Sequence, residues 1–397
     1  MTHNILCMNA GSSSIKFTLF AADESKPETL AFKGQIEGIG VEPRLIAKDS
    51  DGRTLAEAAF AAADIPDPSA AIPKLETWLR LQLQGRLPDV IGHRIAFGGL
   101  RYADPVRVDS TVLKELKALV PFMPIHLPPE LAVVGEIHSQ LPDVPQVAVF
   151  DTGFHQGHAP VIQRLPLPGD LHQDGVRRYG YHGISYEYIA GRLAEVAPDI
   201  AHGKVVVAHL GSGCSMCAMV DGRSVEATMG FSALDGLPMG TRPGRLDPGV
   251  VLHLLQNKGL SVKQVEHLLY HECGLKGLSG VSNDVRELLA SADAQAQFAL
   301  DYFYLHCART VADLATVMGG IDGLVFTAGV GENAAPVRAA IGANLAWLGL
   351  KIDDAANAAP RSARISAQAS RIACYVIPTN EELMIARHAR AVVRAAA

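Results

Sequence analysis

The first patterned stretch of the chain joins two runs of different periodicity. Ile5 to Met8 is continuously apolar, Asn9 to Ser14 is small and polar, and Ile15 to Phe20 alternates. That reads as strand, tight turn, strand. Thr29 to Ile36 and Leu45 to Ala47 read as further short strands, with turns at Glu37 to Pro43 and Asp49 to Arg53. Ala56 to Ala63 and Ala70 to Gln84 read as helices, the second with Leu75, Trp78, Leu79 and Leu83 at helical spacing. Val90 to Gly99 is a strand entering a glycine turn. Leu113 to Val120 and Glu130 to Gln140 are helical, and the proline-held loop Pro121 to Pro129 between them carries Ile125 and His126. Val147 to Phe150 is a strand ending on Asp151.

In the second half a helix over Tyr186 to Val196 precedes Val205 to Val220, again an apolar strand, a Gly-Ser tip and an outgoing strand. Helices over Val262 to His271 and Gln295 to Met318 follow. Asp322 to Asn333 reads as strand, glycine loop and helix start, and Ile372 to Pro378 as the last strand before a terminal helix, Leu383 to Ala396. The second Gly-Ser hairpin comes about 200 residues after the first. The repeat predicts a duplicated α/β fold with one phosphate-facing hairpin per half.

The chemistry-bearing residues sit at the ends of these elements. Glycine tips flanked by hydroxyls can cradle phosphates. The first tip offers Ser12 and Ser14 with Lys16 as a point charge. Arg94 lies inside an apolar strand, which is costly unless it is paired or faces a polar cleft, so a structural ion pair and an anion hook both stay open. A carboxylate at the tip of a buried strand, as at Asp151, commonly faces the ligand crevice. Arg242, in the loop Met239 to Arg245 bracketed by glycine and proline, suits a planar anion. Gly329 and Gly331 would let a flat ring lie on bare backbone, but the third glycine of the dinucleotide fingerprint is missing, so a Rossmann reading is poor. Glu381, at a helix start, either favours the dipole or reaches a metal.

Composition narrows the class. The chain has 397 residues, 48% hydrophobic and 19% charged, which suits a packed globule of two domains. A net charge of −6 excludes the basic stripe expected of a nucleic-acid or anionic-membrane binder. Six scattered cysteines, mostly in apolar runs, read as reduced core thiols. No signal peptide and no membrane-length apolar run is visible, and the expected location is cytoplasmic.

Together the stretches N-A-G-S-S-S-I-K-F, H-R-I-A-F-G-G, V-A-V-F-D-T-G-F-H-Q, R-R-Y-G-Y-H-G, H-L-G-S-G, M-G-T-R, S-G-V-S-N-D-V-R, V-F-T-A-G-V-G-E-N and I-P-T-N-E-E-L-M-I-A-R resemble the acetate kinase family, along the whole length and in order. The resemblance implies a duplicated actin/sugar-kinase-like (ribonuclease H-like) fold with an interdomain cleft. It places an N-terminal domain at 1–150, with 383–397 packing back on it, and a nucleotide-binding domain at 151–382. It implies transfer of the ATP γ-phosphoryl to a short carboxylate with Mg²⁺, or Mn²⁺ in its place, in a homodimer formed through the C-terminal domain.

By position, the resemblance gives Asn9 and Glu381 to the metal and Lys16, Ser12 and Ser14 to the phosphates. Arg94 would bind the substrate, Asp151 takes an acid/base position, and His182 and Arg242 would stabilise the transition state. The nucleotide contacts would fall on His209, Leu210, Gly211, Ser212 and Gly213, on Asp284, Val285 and Arg286, and on Gly329, Val330, Gly331, Glu332 and Asn333. Ala96, Ile125, His126, Tyr181 and Ala233 would line the acyl pocket.

This chain departs from the pattern at several points. Ser212 stands where asparagine is usual, and Arg245 where an acidic residue is usual. Ala96 and Ala233 stand where valine and proline are usual, trimming the pocket in favour of propionate or even butyrate, while Tyr181 adds a hydroxyl. Because a short carboxylate is already ionised at pH 7, no general base is needed, and Asp151 is expected mainly to orient an arginine. Two other readings keep parts of the picture: pyrophosphate as donor, suggested by Ser212 and Arg245, and a non-catalytic actin-like nucleotide binder.

Overall fold

Burial on both faces explains the strands. The computed structural model describes residues 3–23, 26–359 and 363–395. Its first strand, β1 (His3–Ala10), buries Ile5, Leu6, Cys7 and Met8 together, as a central strand covered on both sides must. It is followed by β2 (Ser14–Ala22), β3 (Thr29–Glu37), β4 (Arg44–Asp49), β5 (Thr54–Ala59), β6 (Val90–Ile95), β7 (Val106–Arg107) and β8 (Gln146–Phe150). These form one eight-stranded sheet in the order β5-β4-β3-β2-β1-β6-β8-β7. A second, five-stranded sheet has β9 (Lys204–Leu210), β10 (Cys214–Val220), β11 (Arg223–Ala227), β12 (Gly323–Thr327) and β13 (Ala373–Val376) in the order β11-β10-β9-β12-β13.

The two sheets share a strand pattern. β3-β2-β1 and β11-β10-β9 are antiparallel meanders; β1 then pairs in parallel with β6 and β6 with β8, as β9 does with β12 and β12 with β13. Both hairpins turn through three residues, 11–13 and 211–213. In each the first glycine's N–H bonds across the tip, Gly11 to Ser14 O at 2.8 Å and Gly211 to Gly213 O at 3.2 Å. The chain divides into two compact units, Met1–Gly153 with Asn380–Ala397, and Phe154–Thr379. The terminal helix, Glu381–Ala395, buries Met384, Ile385, Ala386 and Ala389. Gly92 on β6 leaves room for it, since a Cβ there would meet Ile385 Cγ2 at 2.6 Å. The expected end of that helix at Ala396 lies outside the described residues.

Three expectations are corrected. Ala56 to Ala63 is not a helix. Thr54–Ala59 is β5, with Ala47 opposite Ala56, because half-burial of Ala56 and Ala58 against the core outweighs alanine's helical propensity. Leu127, Pro128 and Pro129 belong not to the loop but to the first turn of helix Leu127–Gln140, where a missing N–H costs nothing. The glycine loop after β12 is absent: helix Ala328–Asn333 starts directly, and the positive φ, 64°, falls on Ala328.

Candidate active site

In the first unit the carboxyl ends of parallel strands gather the charged side chains. Met8 on β1 pairs with His93 on β6, and Ile95 on β6 with Phe150 on β8, so Asn9, Arg94 and Asp151 emerge at one edge of the sheet. Arg94 is held on two sides. Its Nη2 donates to Asp151 Oδ2 at 2.7 Å and its Nε to both Asp151 oxygens at 3.1 and 3.0 Å. Its Nη1 donates to Glu381 Oε2 at 3.3 Å, from the first turn of the terminal helix. Burial works against the guanidinium charge, but Asp151 and Glu381 more than offset it and raise its pKa. Such a fork-and-carboxylate pair has fixed geometry.

The other Glu381 oxygen, Oε1, is buried and has no hydrogen-bond partner. No group of three or more His, Cys, Asp or Glu suited to a metal occurs among the described residues. An orphaned carboxylate oxygen still fits Mg²⁺, which takes one or two protein oxygens and completes its shell with water and phosphate. Ala96 is buried, and its N–H donates to Glu130 Oε2 at 3.0 Å. Ile125 and His126 are half-buried just before helix Leu127–Gln140. Ser12 and Lys16 are exposed and Ser14 is half-buried at the hairpin.

The second unit builds its group around the other hairpin tip. His182 heads helix Gly183–Val196 in the left-handed conformation, φ 58° and ψ 24°, a strain of about 1–3 kcal/mol that functional sites commonly hold. Its ring stacks on His209, centroids 4.2 Å apart. Both rings are fixed through Nδ1. His182 meets Ser215 Oγ at 2.7 Å, which also bonds Tyr186, and His209 meets Ser185 Oγ at 2.9 Å, which also bonds Thr379. Arg242 Nη1 donates to the Ala233 carbonyl at 2.9 Å, and among the described residues no carboxylate pairs with it. Burial lowers its pKa, opposed by Cys214 and Tyr270, yet a guanidinium stays charged. Gly213 is what admits it: a Cβ there would lie 2.7 Å from Arg242 Nη2 and 3.5 Å from His182 Nε2.

Beside this tip lies a cavity of about 690 Å³. Ser212, Ser282, Asn283, Asp284, Arg286 and Asn333 give it polar atoms, and Leu275, Val285, Leu289, Phe303 and Val330 an apolar wall, with Gly211 and Gly329 at the rim. Asp284 caps helix Val285–Ala290 by accepting from Arg286 N at 2.8 Å. The Arg286 side chain holds its carboxyl down to about 2.

The other expected nucleotide residues have structural partners. Glu332 Oε1 accepts from Ala328 N at 2.8 Å and Thr379 N at 3.1 Å, bracing the strained turn. Gly331 packs on Phe326, and Leu210 is buried at the end of β9. Tyr181 and Ala233 are buried, and the tyrosine hydroxyl donates to Phe231 O at 2.8 Å. Arg245 pairs with Asp313 at 3.2 Å and does not line this cavity. Missed from the sequence were Glu130, Ser185 and Ser215, and Ser282 and Asn283. Glu130 left one signal: it shares the apolar face of its helix with Leu127, Val134 and Ile137.

Comparison with known proteins agrees along the whole chain. The profile of the Acetokinase family matches residues 4–387. The acetate kinase of Nitrobacter hamburgensis is 50% identical over 97% of this chain and 95% of its own length. That of Rhizobium meliloti is 49% identical over 98% of both. Among solved structures, a propionate kinase from Francisella tularensis is 34% identical with a TM-score of 0.89, and Porphyromonas gingivalis acetate kinase is 31% identical with 0.86. Each covers 98% of this chain and 100% of the solved one, and the fold is the duplicated actin/sugar-kinase type. The chain belongs to the acetokinase family, and with it to the phosphotransferases that take a carboxyl group as acceptor.

Proposed function

We propose that the protein transfers the γ-phosphoryl group of ATP reversibly to acetate or propionate, giving acyl phosphate and ADP. The observation that carries this reading is the second unit's cavity of about 690 Å³ next to Arg242, a half-buried guanidinium without a carboxylate partner. An apolar wall of Val285, Leu289, Phe303 and Val330 suits a nucleobase, and pyrophosphate has no use for it. Arg245, which had suggested pyrophosphate, is engaged with Asp313.

In this reading the acceptor arrives already ionised, so the residues have no proton to remove from it. Their work is to hold two anions together and stabilise the charge of the transferring group. Arg94 binds and aligns the carboxylate, and Asp151 fixes the plane of the guanidinium. His182, held by Ser215, and Arg242, held by the Ala233 carbonyl, present donors to the phosphoryl oxygens. Asn9 and Glu381 would hold Mg²⁺, which when bound neutralises phosphate charge. Trimmed side chains at Ala96 and Ala233 make room for propionate to be used comparably to acetate, each buried methylene contributing about 0.8 kcal/mol. A cytoplasmic homodimer assembled through the second unit belongs to the same proposal.

Trapping acyl phosphate with hydroxylamine tests it. Hydroxamate is expected with Mg-ATP plus acetate or propionate at comparable kcat/KM, and little with pyrophosphate. No hydroxamate from ATP with any short carboxylate would overturn the reading.

A further inference from the structure

Glu130 is a carboxyl group in the hydrophobic face of helix Leu127–Gln140, 6% exposed. Buried carboxylates are rare unless paired with a cation, and none of the described residues forms an ion pair with this one. Its partner is instead the N–H of Ala96, which donates to Oε2 at 3.0 Å, two residues beyond Arg94 on the same stretch of chain. Burial pushes its carboxyl up to about 8; the Ala96 N–H, which stabilises the ionised form, and Arg94 work against that rise, and Asp151 adds to it. Farther along the same helix, at Gly135, Ile137 and Leu141, the neighbouring elements contribute Leu6 and Met8 from β1, Ile72, Leu75 and the carboxylate Glu76 from helix Pro68–Gln82, and Leu113 from helix Ser110–Ala118.

The local charge count gives this proton a consequence. Arg94 is opposed by two carboxylates, Asp151 and Glu381, so before Mg²⁺ binds that corner is net negative by one. An ionised Glu130 would make it negative by two against an acceptor that is itself an anion.

We propose that Glu130 is a positioning residue of the acceptor site: in its neutral form it anchors the Ala96 amide and permits carboxylate binding, and in its ionised form it weakens that binding. The proposal rests on the carboxylate-kinase reading. It makes acceptor affinity, and not nucleotide affinity, sensitive to mildly alkaline pH.

The test is the pH dependence of KM for acetate, set beside KM for ATP, in the wild type and in Glu130→Gln, whose amide oxygen can still accept from Ala96 without ever ionising. If only the protonated form binds acetate, its KM in the wild type rises about tenfold from pH 7 to pH 9. In the variant it is expected to stay flat within about twofold, with KM for ATP unchanged in both. A rise in the variant equal to that of the wild type would overturn the proposal.

A second readout needs no turnover. The infrared carbonyl band of a buried protonated carboxyl should be present in the wild type at pH 7, titrate away around pH 8, and be missing from Glu130→Gln. Its absence from the wild type at pH 7 would also overturn the proposal. If the wild type makes no acyl phosphate, the functional reading fails, and the infrared titration still decides for or against Glu130.

Discussion

Arg94 and Arg242 occupy one unit each, and their surroundings hold them in opposite ways. Arg94 is clamped by Asp151 and Glu381, so its direction is set but its charge is already balanced within the protein. Arg242 is fixed by one carbonyl, of Ala233, with no opposing carboxylate. A half-buried cation without a carboxylate partner is partly desolvated in the resting protein and attractive to an anion that completes it. Under the proposed function, this difference suits the first arginine to alignment and the second to charge stabilisation.

Replacing Arg242 by Ala should have the largest effect on turnover, about 10³–10⁴ in kcat, as for other deleted transition-state donors. A loss under tenfold, read by hydroxamate formation, would break the comparison. Asp151→Asn leaves Arg94 charged but frees its orientation. A drop of about 10² in kcat/KM for the carboxylate is expected, with KM for ATP unchanged, and near-normal turnover would show that Arg94 needs no aligning partner. Ser215→Ala unties His182 Nδ1 and Tyr186 and should cost about tenfold in kcat, roughly the net worth of one hydrogen bond. The smallest effect belongs to Ser212→Asn at the cavity rim, where KM for ATP should change by no more than about threefold.

Much of this was legible before the fold was known. Both Gly-Ser hairpins and their repetition follow from apolar runs meeting small polar tips, and the shared strand order of the two sheets is the physical content of that repeat. Arg94, Asp151 and Arg242 stood out because charges in apolar strands and rigid loops need a reason. What stayed hidden depended on distant partners. Ala56 to Ala63 has a helical composition, and only pairing with β4 makes Thr54–Ala59 a strand. Glu332 and Asn333 are neighbours behind Gly329 and Gly331 and look alike in the sequence. Yet Glu332 turns to Ala328 and Thr379, while Asn333 lines the cavity. Ser215 and Ser185 acquire their roles through histidines brought near by the sheet and helix.

The central contrast can be read in a single experiment, thermal unfolding of Arg94→Met beside Arg242→Met. Removing Arg94 leaves two carboxylates facing each other without their cation, at a cost of about 3 kcal/mol, so the transition of the first unit should fall by several degrees. Removing Arg242 breaks no ion pair and relieves an unpaired, half-buried charge, so its transition should match the wild type or exceed it. If Arg242→Met melted as low as Arg94→Met, the guanidinium would have a structural counter-ion after all, and the division of labour proposed between the two arginines would be contradicted.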